Sequence, residues 1–204
     1  MSEEVKITTT EAKILESAKK VFYLRGLKGA RMEEIAKEAN INTALLHYYF
    51  RTKEKLYLKI FDDAISNFKV QILELANQDM QFEEKVKHFV EKYISLLLEN
   101  SYLPIFIINE LNQNPDRIIE ILNVGDELRE TLLLRQFNEE ILKGNIRPVN
   151  FFHFLLNLLS LCVFPFISKP IFKSLFNLSE EQFTSLILER KNIIPDIILK
   201  WLKN

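Results

Sequence analysis

The sequence predicts an all-α protein with a small N-terminal three-helix domain, residues 1–52, followed by a larger helical domain, residues 53–204. Three observations lead to this fold class. Apolar residues recur at the three- and four-residue spacing of amphipathic helices, and no segment shows the alternation of a half-buried strand. Only 4 Gly and 6 Pro occur among 204 residues, so few tight turns are expected. The composition, 48% apolar and 27% charged, is that of a folded globular chain.

The N-terminal domain is predicted to hold three helices, at 10–25, 32–39 and 43–50. Gly26 ends the first apolar pattern at a place that suits a helix C-cap. Asn42 precedes the third pattern and can cap its start. The two shorter helices need partners, because seven or eight residues do not form a stable helix alone.

The C-terminal domain begins with a long fourth helix, 53–76, capped by Thr52. Pro165 and Pro170 are expected to interrupt the chain, and Pro195 is expected to kink the last helix. Ser179 and Gln182 have the spacing of a capping box. Further helices are predicted at 81–99, 102–113, 116–143, 149–164 and from Ser179 onward.

Two short helices joined by a tight connection and packed on a third form a helix-turn-helix, whose second helix enters a DNA major groove. A small core is predicted for this unit from Ile35, Ala36, Ala39, Ile41, Leu46 and Phe50. Residues at or near the surface of the third helix are then Thr43, Ala44, Leu45, His47, Tyr48 and Tyr49. Hydroxyls and an imidazole can donate to phosphates, and Leu45 can contact a thymine methyl. Lys53 adds a positive charge at a helix N-terminus, which also attracts phosphate.

The segment EEIAKEANINTALLHYYFRTKEKL resembles the tetracycline-repressor (TetR) family of one-component regulators. The family pattern has an Ile-Ala pair, a turn, an aliphatic residue, a small residue, Leu-Tyr, an aromatic or His, Phe, and Lys-Glu-x-Leu. Residues 35–36, 41–42, 44, 46–47, 49–50 and 53–56 occupy those places in register. Four departures are His47 for Tyr, Ala44 for Gly, Leu45 for a small polar residue, and Ala30-Arg31 where Thr or Ser usually caps the second helix.

The resemblance implies a homodimeric repressor that binds a palindromic double-stranded DNA operator and is released by a small-molecule effector of unknown identity. It adds Arg31 and Met32, at the start of the second helix, to the expected DNA contacts. No cofactor and no metal are expected. The sequence shows no catalytic or metal-ligand constellation, so an enzyme is not expected. The alternative is a dimeric helical small-molecule-binding or interaction protein that has lost specific DNA binding, favoured by the four departures and by modest basicity.

That basicity is confined to the head of the chain. Residues 1–57 hold 11 Lys/Arg against 8 Asp/Glu, while the whole chain has a net charge of −1. A basic head on an acidic body is a weak indication of nucleic-acid binding. The N-terminus lacks an apolar stretch and the chain has one cysteine, Cys162, so a cytoplasmic location is expected.

The resemblance implies that the helices of the C-terminal domain enclose a cavity for a small molecule. Ligand cavities combine apolar walls with a few polar groups. From spacing alone, the candidate residues are equally well explained as ordinary core and surface residues. Only the resemblance favours a cavity. The candidates are Phe89, Tyr93, Tyr102, Phe106, Asn109, Glu110, Gln113 and Phe137.

Residues 149–168 carry no formal charge. An uncharged run of this length could span a membrane. A polar stripe along this run, Asn150, His153, Asn157 and Ser160, favours a helix covered by a second subunit over a membrane. No membrane partner is expected. The predicted dimer residues are His153, Asn157, Ser160, Ile187, Ile194, Ile198 and Trp201.

Overall fold

The computed structural model describes residues 2–101, 103–113, 115–122, 127 and 129–203, leaving aside the side chains of residues 2–8, 113, 117–119 and 122. Every regular element in this part of the chain is a helix, which confirms the all-α prediction. The helices are α1 (Ser2–Gly29), α2 (Met32–Glu38), α3 (Thr43–Tyr49), α4 (Lys53–Asn77), α5 (Phe82–Glu99), α6 (Leu103–Gln113), α7 (Pro115–Leu122), α8 (Leu132–Leu142), α9 (Phe151–Ile167), α10 (Lys169–Leu175) and α11 (Glu180–Lys203).

The long helix predicted at 116–143 is wrong, because the chain forms α7 and α8 there instead. Thr131 gives α8 a new beginning: its hydroxyl accepts a hydrogen bond from the Leu134 N–H at 3.3 Å. Pro115 is the first residue of α7, a position where proline is tolerated because the first turn of a helix leaves its N–H groups unpaired. Residues 123–126 and 128 of the predicted helix lie outside the described part.

Prolines interrupt the last helices less than predicted. Pro165 lies inside α9 and Pro195 inside α11. A proline has no N–H, so Pro165 leaves the carbonyl of Leu161, four residues earlier, without its helical donor. Arg190 on α11 supplies one, since its Nη2 donates to the Leu161 oxygen at 2.9 Å. A contact distant in sequence therefore helps α9 to continue to Ile167.

The chain divides into two compact units, the first comprising Met1–Asn67 and Phe106–Ile121. This unit extends well beyond the predicted boundary at residue 52, because the first half of α4 is buried in it. The ring of Tyr57 lies edge-on to Phe22 of α1 at 5.2 Å and to Phe106 of α6 at 4.9 Å between ring centroids. Phe106 also contacts Tyr23 at 5.3 Å and Phe61 at 5.4 Å.

The second unit comprises Phe68–Ile105 and Leu122–Asn204. Its centre is formed by α5, α9 and α11, which pack against one another, while α8 packs against α5. Lys85 is buried here, and its Nζ donates to the Ala76 carbonyl near the end of α4 at 3.2 Å. Burial lowers the pKa of the Lys85 ammonium.

Within the described residues, no single helix combines the length and the hydropathy that a bilayer crossing requires. The consecutive helices α9 and α10 reach both only when taken together, and they are bent by 60° relative to each other.

Candidate nucleic-acid interface

The turn between α2 and α3 is held by local hydrogen bonds. Asn40 has a φ of 54°, in the left-handed region that asparagine tolerates better than most residues. The Ile41 N–H donates to the Ala36 carbonyl at 3.0 Å, and the Asn42 Oδ1 accepts from the Leu45 N–H at 2.7 Å. The cap predicted at Asn42 is therefore confirmed, and the start of α3 is fixed relative to α2.

One face of α3 is buried and the other is open. Leu46 is fully buried, and Phe50 closes the end of the helix at 9% exposure. The opposite face exposes Ala44, Leu45, His47 and Tyr48, while Thr43 and Tyr49 are half-buried. Tyr48 is 79% exposed and stands edge-on to Tyr49 at 5.6 Å between ring centroids. Apolar and aromatic side chains that lie exposed side by side indicate a surface that contacts a partner.

The structure corrects the predicted DNA contact of Met32 and gives Lys53, which stays a predicted contact, a second role. Met32 is only 8% exposed and belongs to the core of the first unit, where the apolar side of α2 packs. Lys53 directs its Nζ to the carbonyl of Ala30 at 3.0 Å, so this ammonium ties the start of α4 to the turn before α2. Arg31 is exposed and precedes α2 without a side-chain cap.

His47 makes a contact that the sequence did not indicate. Its Nδ1 lies 3.2 Å from the carbonyl oxygen of Arg51, in the turn that joins α3 to α4. The next residue, Thr52, caps α4 as predicted, because its Oγ1 accepts from the Lys55 N–H at 3.2 Å. The last turn of α3 and the first turn of α4 are thus linked by short-range bonds.

The ligand-binding candidates do not form one group. Phe89, Tyr93 and Phe137 are buried in the second unit, whereas Phe106 and Glu110 are buried in the first. Asn109 is exposed on α6. Tyr102 and the side chain of Gln113 lie outside the described residues. The sequence spacing of these residues therefore did not reveal which of them share a core.

The dimer candidates also separate into two sets. His153, Asn157 and Ser160 are exposed along α9, and Trp201 is half-buried beneath the guanidinium of Arg147, 4.7 Å from its ring centroid. Ile187, Ile194 and Ile198 have exposures of 2%, 0% and 1%, so their side chains have no area to offer a second copy. Assigning these three isoleucines to an interface was wrong; they are core residues of the second unit.

The apolar residues on the open side of the same helix were not predicted as interface residues. Leu186, Ile193 and Ile197 of α11 are 46%, 43% and 45% exposed. Together with Arg190 they follow a four-three-four spacing, which matches that of His153, Asn157, Ser160 and Phe164 on α9. The spacing of this open row can be read from the sequence. However, Ile187, Ile194 and Ile198 each directly follow a residue of the row and have the same spacing, so only their burial distinguishes the two faces of the helix.

Among the described residues, no three His, Cys, Asp or Glu side chains are grouped so that they could hold a metal ion. Burial raises the pKa of the Cys162 thiol to about 12, so this cysteine is not a nucleophile at neutral pH.

Residues 14–60 match the family described as bacterial regulatory proteins, tetR family. The match covers α2, α3, the turn between them and the capped start of α4. The N-terminal region of the chain belongs to the TetR family. The first unit contains the TetR helix-turn-helix, which confirms the resemblance seen in the sequence.

Curated relatives extend the similarity beyond the helix-turn-helix. The transcriptional repressor NicS of Pseudomonas putida is 32% identical over 90 residues, which are 42% of each chain. The probable transcriptional regulator YttP of Bacillus subtilis is 27% identical over 164 residues, or 78% of each chain. The alignment with NicS thus spans less than half of that relative's length.

A solved structure has a similar all-helical fold. The regulator FadR of Bacillus subtilis, in complex with stearoyl-CoA, superposes with a TM-score of 0.63 over 94% of this chain and 99% of its own. At 16% identity, this likeness shows the fold alone.

Proposed function

We propose that this chain is a transcriptional repressor of the cytoplasm that binds a palindromic operator as a homodimer and is released from it by a small molecule. The observation that supports DNA binding most directly is the open face of α3, with Ala44, Leu45, His47 and Tyr48 side by side. A recognition helix of this length reads too few base pairs alone, so two copies on two half-sites are expected. NicS is a transcriptional repressor, which agrees with the direction of regulation proposed here.

The open faces of α9 and α11 support the homodimer. Each carries a row with four-three-four spacing, the pattern of helices that pack along a shared seam. The α11 row is apolar except for Arg190, and the α9 row ends in Phe164, which is 59% exposed. The apolar row on α11 and the exposed ring of Phe164 at the end of the polar α9 row lie on neighbouring helices, and a second copy covers both at once.

The core of the second unit supports a small-molecule effector. Tyr93 is 4% exposed and is packed between the rings of Phe68 and Phe89, each 5.5 Å away. Burial raises the pKa of its phenol well above the ordinary range. A phenol in apolar surroundings is the kind of single polar group that orients an apolar ligand. Because the structural relative FadR was solved with stearoyl-CoA, we propose a long-chain acyl compound as the first effector class to test.

Selection of genomic fragments with the purified protein, followed by footprinting, tests this function. Two symmetric protected half-sites are expected, and stearoyl-CoA should remove the protection. Leu45→Glu should abolish the footprint, because it places a carboxylate against the DNA. Leu142→Glu, at an 86% exposed position of α8, should leave it intact. An asymmetric footprint, or one that persists in Leu45→Glu, contradicts the proposal.

A further inference from the structure

We infer that His47 makes the DNA affinity of this protein depend on pH, because its neutral imidazole is held in the tautomer that cannot donate to a phosphate. The inference rests on the proposed DNA binding and goes beyond it. It begins from the contact between the His47 Nδ1 and the Arg51 carbonyl, 3.2 Å apart. A carbonyl oxygen only accepts hydrogen bonds, so the nitrogen facing it carries the proton.

The tautomer follows from this contact. A neutral imidazole has one N–H and one lone pair, and the proton on Nδ1 leaves the lone pair on Nε2. His47 is exposed on the open face of α3, so Nε2 is the nitrogen available to DNA. A lone pair and a phosphate oxygen repel each other. The hydroxyl of a tyrosine, which is usual at this place in the family, can donate at any pH below its own ionisation.

Protonation reverses the chemistry of this position. An imidazolium donates from both nitrogens, so the bond to Arg51 is kept while Nε2 gains a proton and the ring gains a positive charge. Histidine is the side chain that ordinarily changes charge between pH 5 and 8. Protonation of this imidazole therefore adds one phosphate contact per protomer.

The charged side chains on the elements that adjoin α3 either bind groups other than His47 or are exposed. On α2, Glu34 is paired with Arg25 at 3.5 Å and Glu38 with Lys20 at 3.3 Å. Lys53 at the start of α4 is bound to the Ala30 carbonyl. The other charged side chains on the elements that adjoin α3 are Glu33 and Lys37 on α2, Arg51 in the turn, and Glu54 and Lys55 on α4, all exposed.

Binding to a rhodamine-labelled 40-base-pair duplex of random sequence, measured against salt at pH 6 and pH 8, tests the inference. The wild type should bind more tightly at pH 6, and the slope of log K against log salt should be steeper there by about 0.9 for each added phosphate contact. His47→Tyr should give the same slope at both pH values. His88→Gln, on α5, is the matched control and should keep the wild-type dependence.

Nitrogen-15 NMR of the free protein supplies a readout that does not involve DNA. Two-bond proton–nitrogen correlations at pH 8 should show His47 protonated at Nδ1. Protonation at Nε2 overturns the inference, as does an equal change of slope in the wild type and His47→Tyr. Absence of DNA binding at both pH values overturns the proposed function and this inference with it, whereas a slope that does not change with pH overturns this inference alone.

Discussion

At the scale of single residues, the pair Tyr57 and Glu110 stands out because both side chains are almost completely buried, at 3% and 2% exposure. The two are joined by a side-chain hydrogen bond in which the phenol donates. Burial, followed by the nearby carboxyl group and this bond, raises the pKa of Tyr57 well above 10.0. Polar groups in an aromatic environment are costly unless they satisfy each other. The pair therefore holds α6 to α4 within the first unit.

Replacing Tyr57 with Phe removes the donor and keeps the ring. The free energy of unfolding should fall by about 1–3 kcal/mol, the cost of taking a hydrogen bond from a buried carboxyl group. Tyr48→Phe makes the same chemical change at a 79% exposed position and should alter stability by less than about 0.5 kcal/mol. Urea unfolding at pH 7 measures both, and equal losses would contradict the role given to the pair.

Because the pKa of Tyr57 is raised, Tyr57→Phe should also change how stability depends on pH. The folded state keeps the Tyr57 proton at a pH where the unfolded chain releases it, so this residue's contribution to stability is lost as pH rises above 10.0. The decline of stability with pH above that value should accordingly be shallower in Tyr57→Phe than in the wild type.

At the scale of elements, α11 shows how a long helix begins. The Ser179 N–H donates to the Gln182 Oε1 at 2.8 Å, and the Gln182 N–H donates to the Ser179 Oγ at 3.1 Å. This is the reciprocal capping box predicted from the sequence. Lys169 and Lys173 of α10 add to it, since both contact the Glu180 carboxylate, at 2.8 and 2.6 Å, and hold the pKa of that carboxyl at about 2.

Ser179→Ala should destabilise the protein by about 0.5–2 kcal/mol, because the cap oxygen that satisfies a free N–H of α11 is lost. Ser185→Ala, an exposed position in the interior of the same helix, should be neutral or slightly stabilising, since alanine is the better helix former there. Thermal unfolding of the two variants beside the wild type gives the comparison. A loss in Ser185→Ala as large as that in Ser179→Ala would argue against the cap.

At the scale of the whole molecule, several large apolar side chains of the second unit lie exposed on its surface. Besides the rows on α9 and α11, the short helix α10 exposes Ile171 and Leu175, at 67% and 71%. Phe172 and Phe176 stack at 5.8 Å beside them. Apolar area of this extent is unfavourable in water and is ordinarily covered by a partner.

Ile193→Asp combined with Leu186→Asp should dissociate the proposed dimer, because each copy would bring two charges into a seam that excludes water. Sedimentation should report a monomer, and operator binding should be lost although the helix-turn-helix is unchanged, since a single recognition helix reads too little DNA. Leu142→Asp, exposed on α8, is the control and should stay dimeric. A stable dimer in the double variant would remove α11 from the interface.

Several features could be predicted because they depend on residues close together in the chain. The caps at Asn42, Thr52 and Ser179 were placed correctly, since each needs only a side-chain oxygen two or three residues before a free N–H. The buried and open faces of α3 also followed from helical spacing. The start of α8 after Thr131 did not, because the whole segment is compatible with one helix and nothing local forces a new helix to begin there.

The sequence by itself determined the all-helical class, most of the helices and the helix-turn-helix, all of which rest on spacing and short-range hydrogen bonds. Tertiary structure alone decided that Lys53 ties two elements together through the Ala30 carbonyl, that Ile187, Ile194 and Ile198 face inward, and that Arg190 bonds the carbonyl freed by Pro165. The periodicity of a sequence indicates that a helix has an apolar face, but it does not indicate which neighbouring element covers that face. A charged side chain long enough to reach several acceptors is committed to one of them only when the chain has folded.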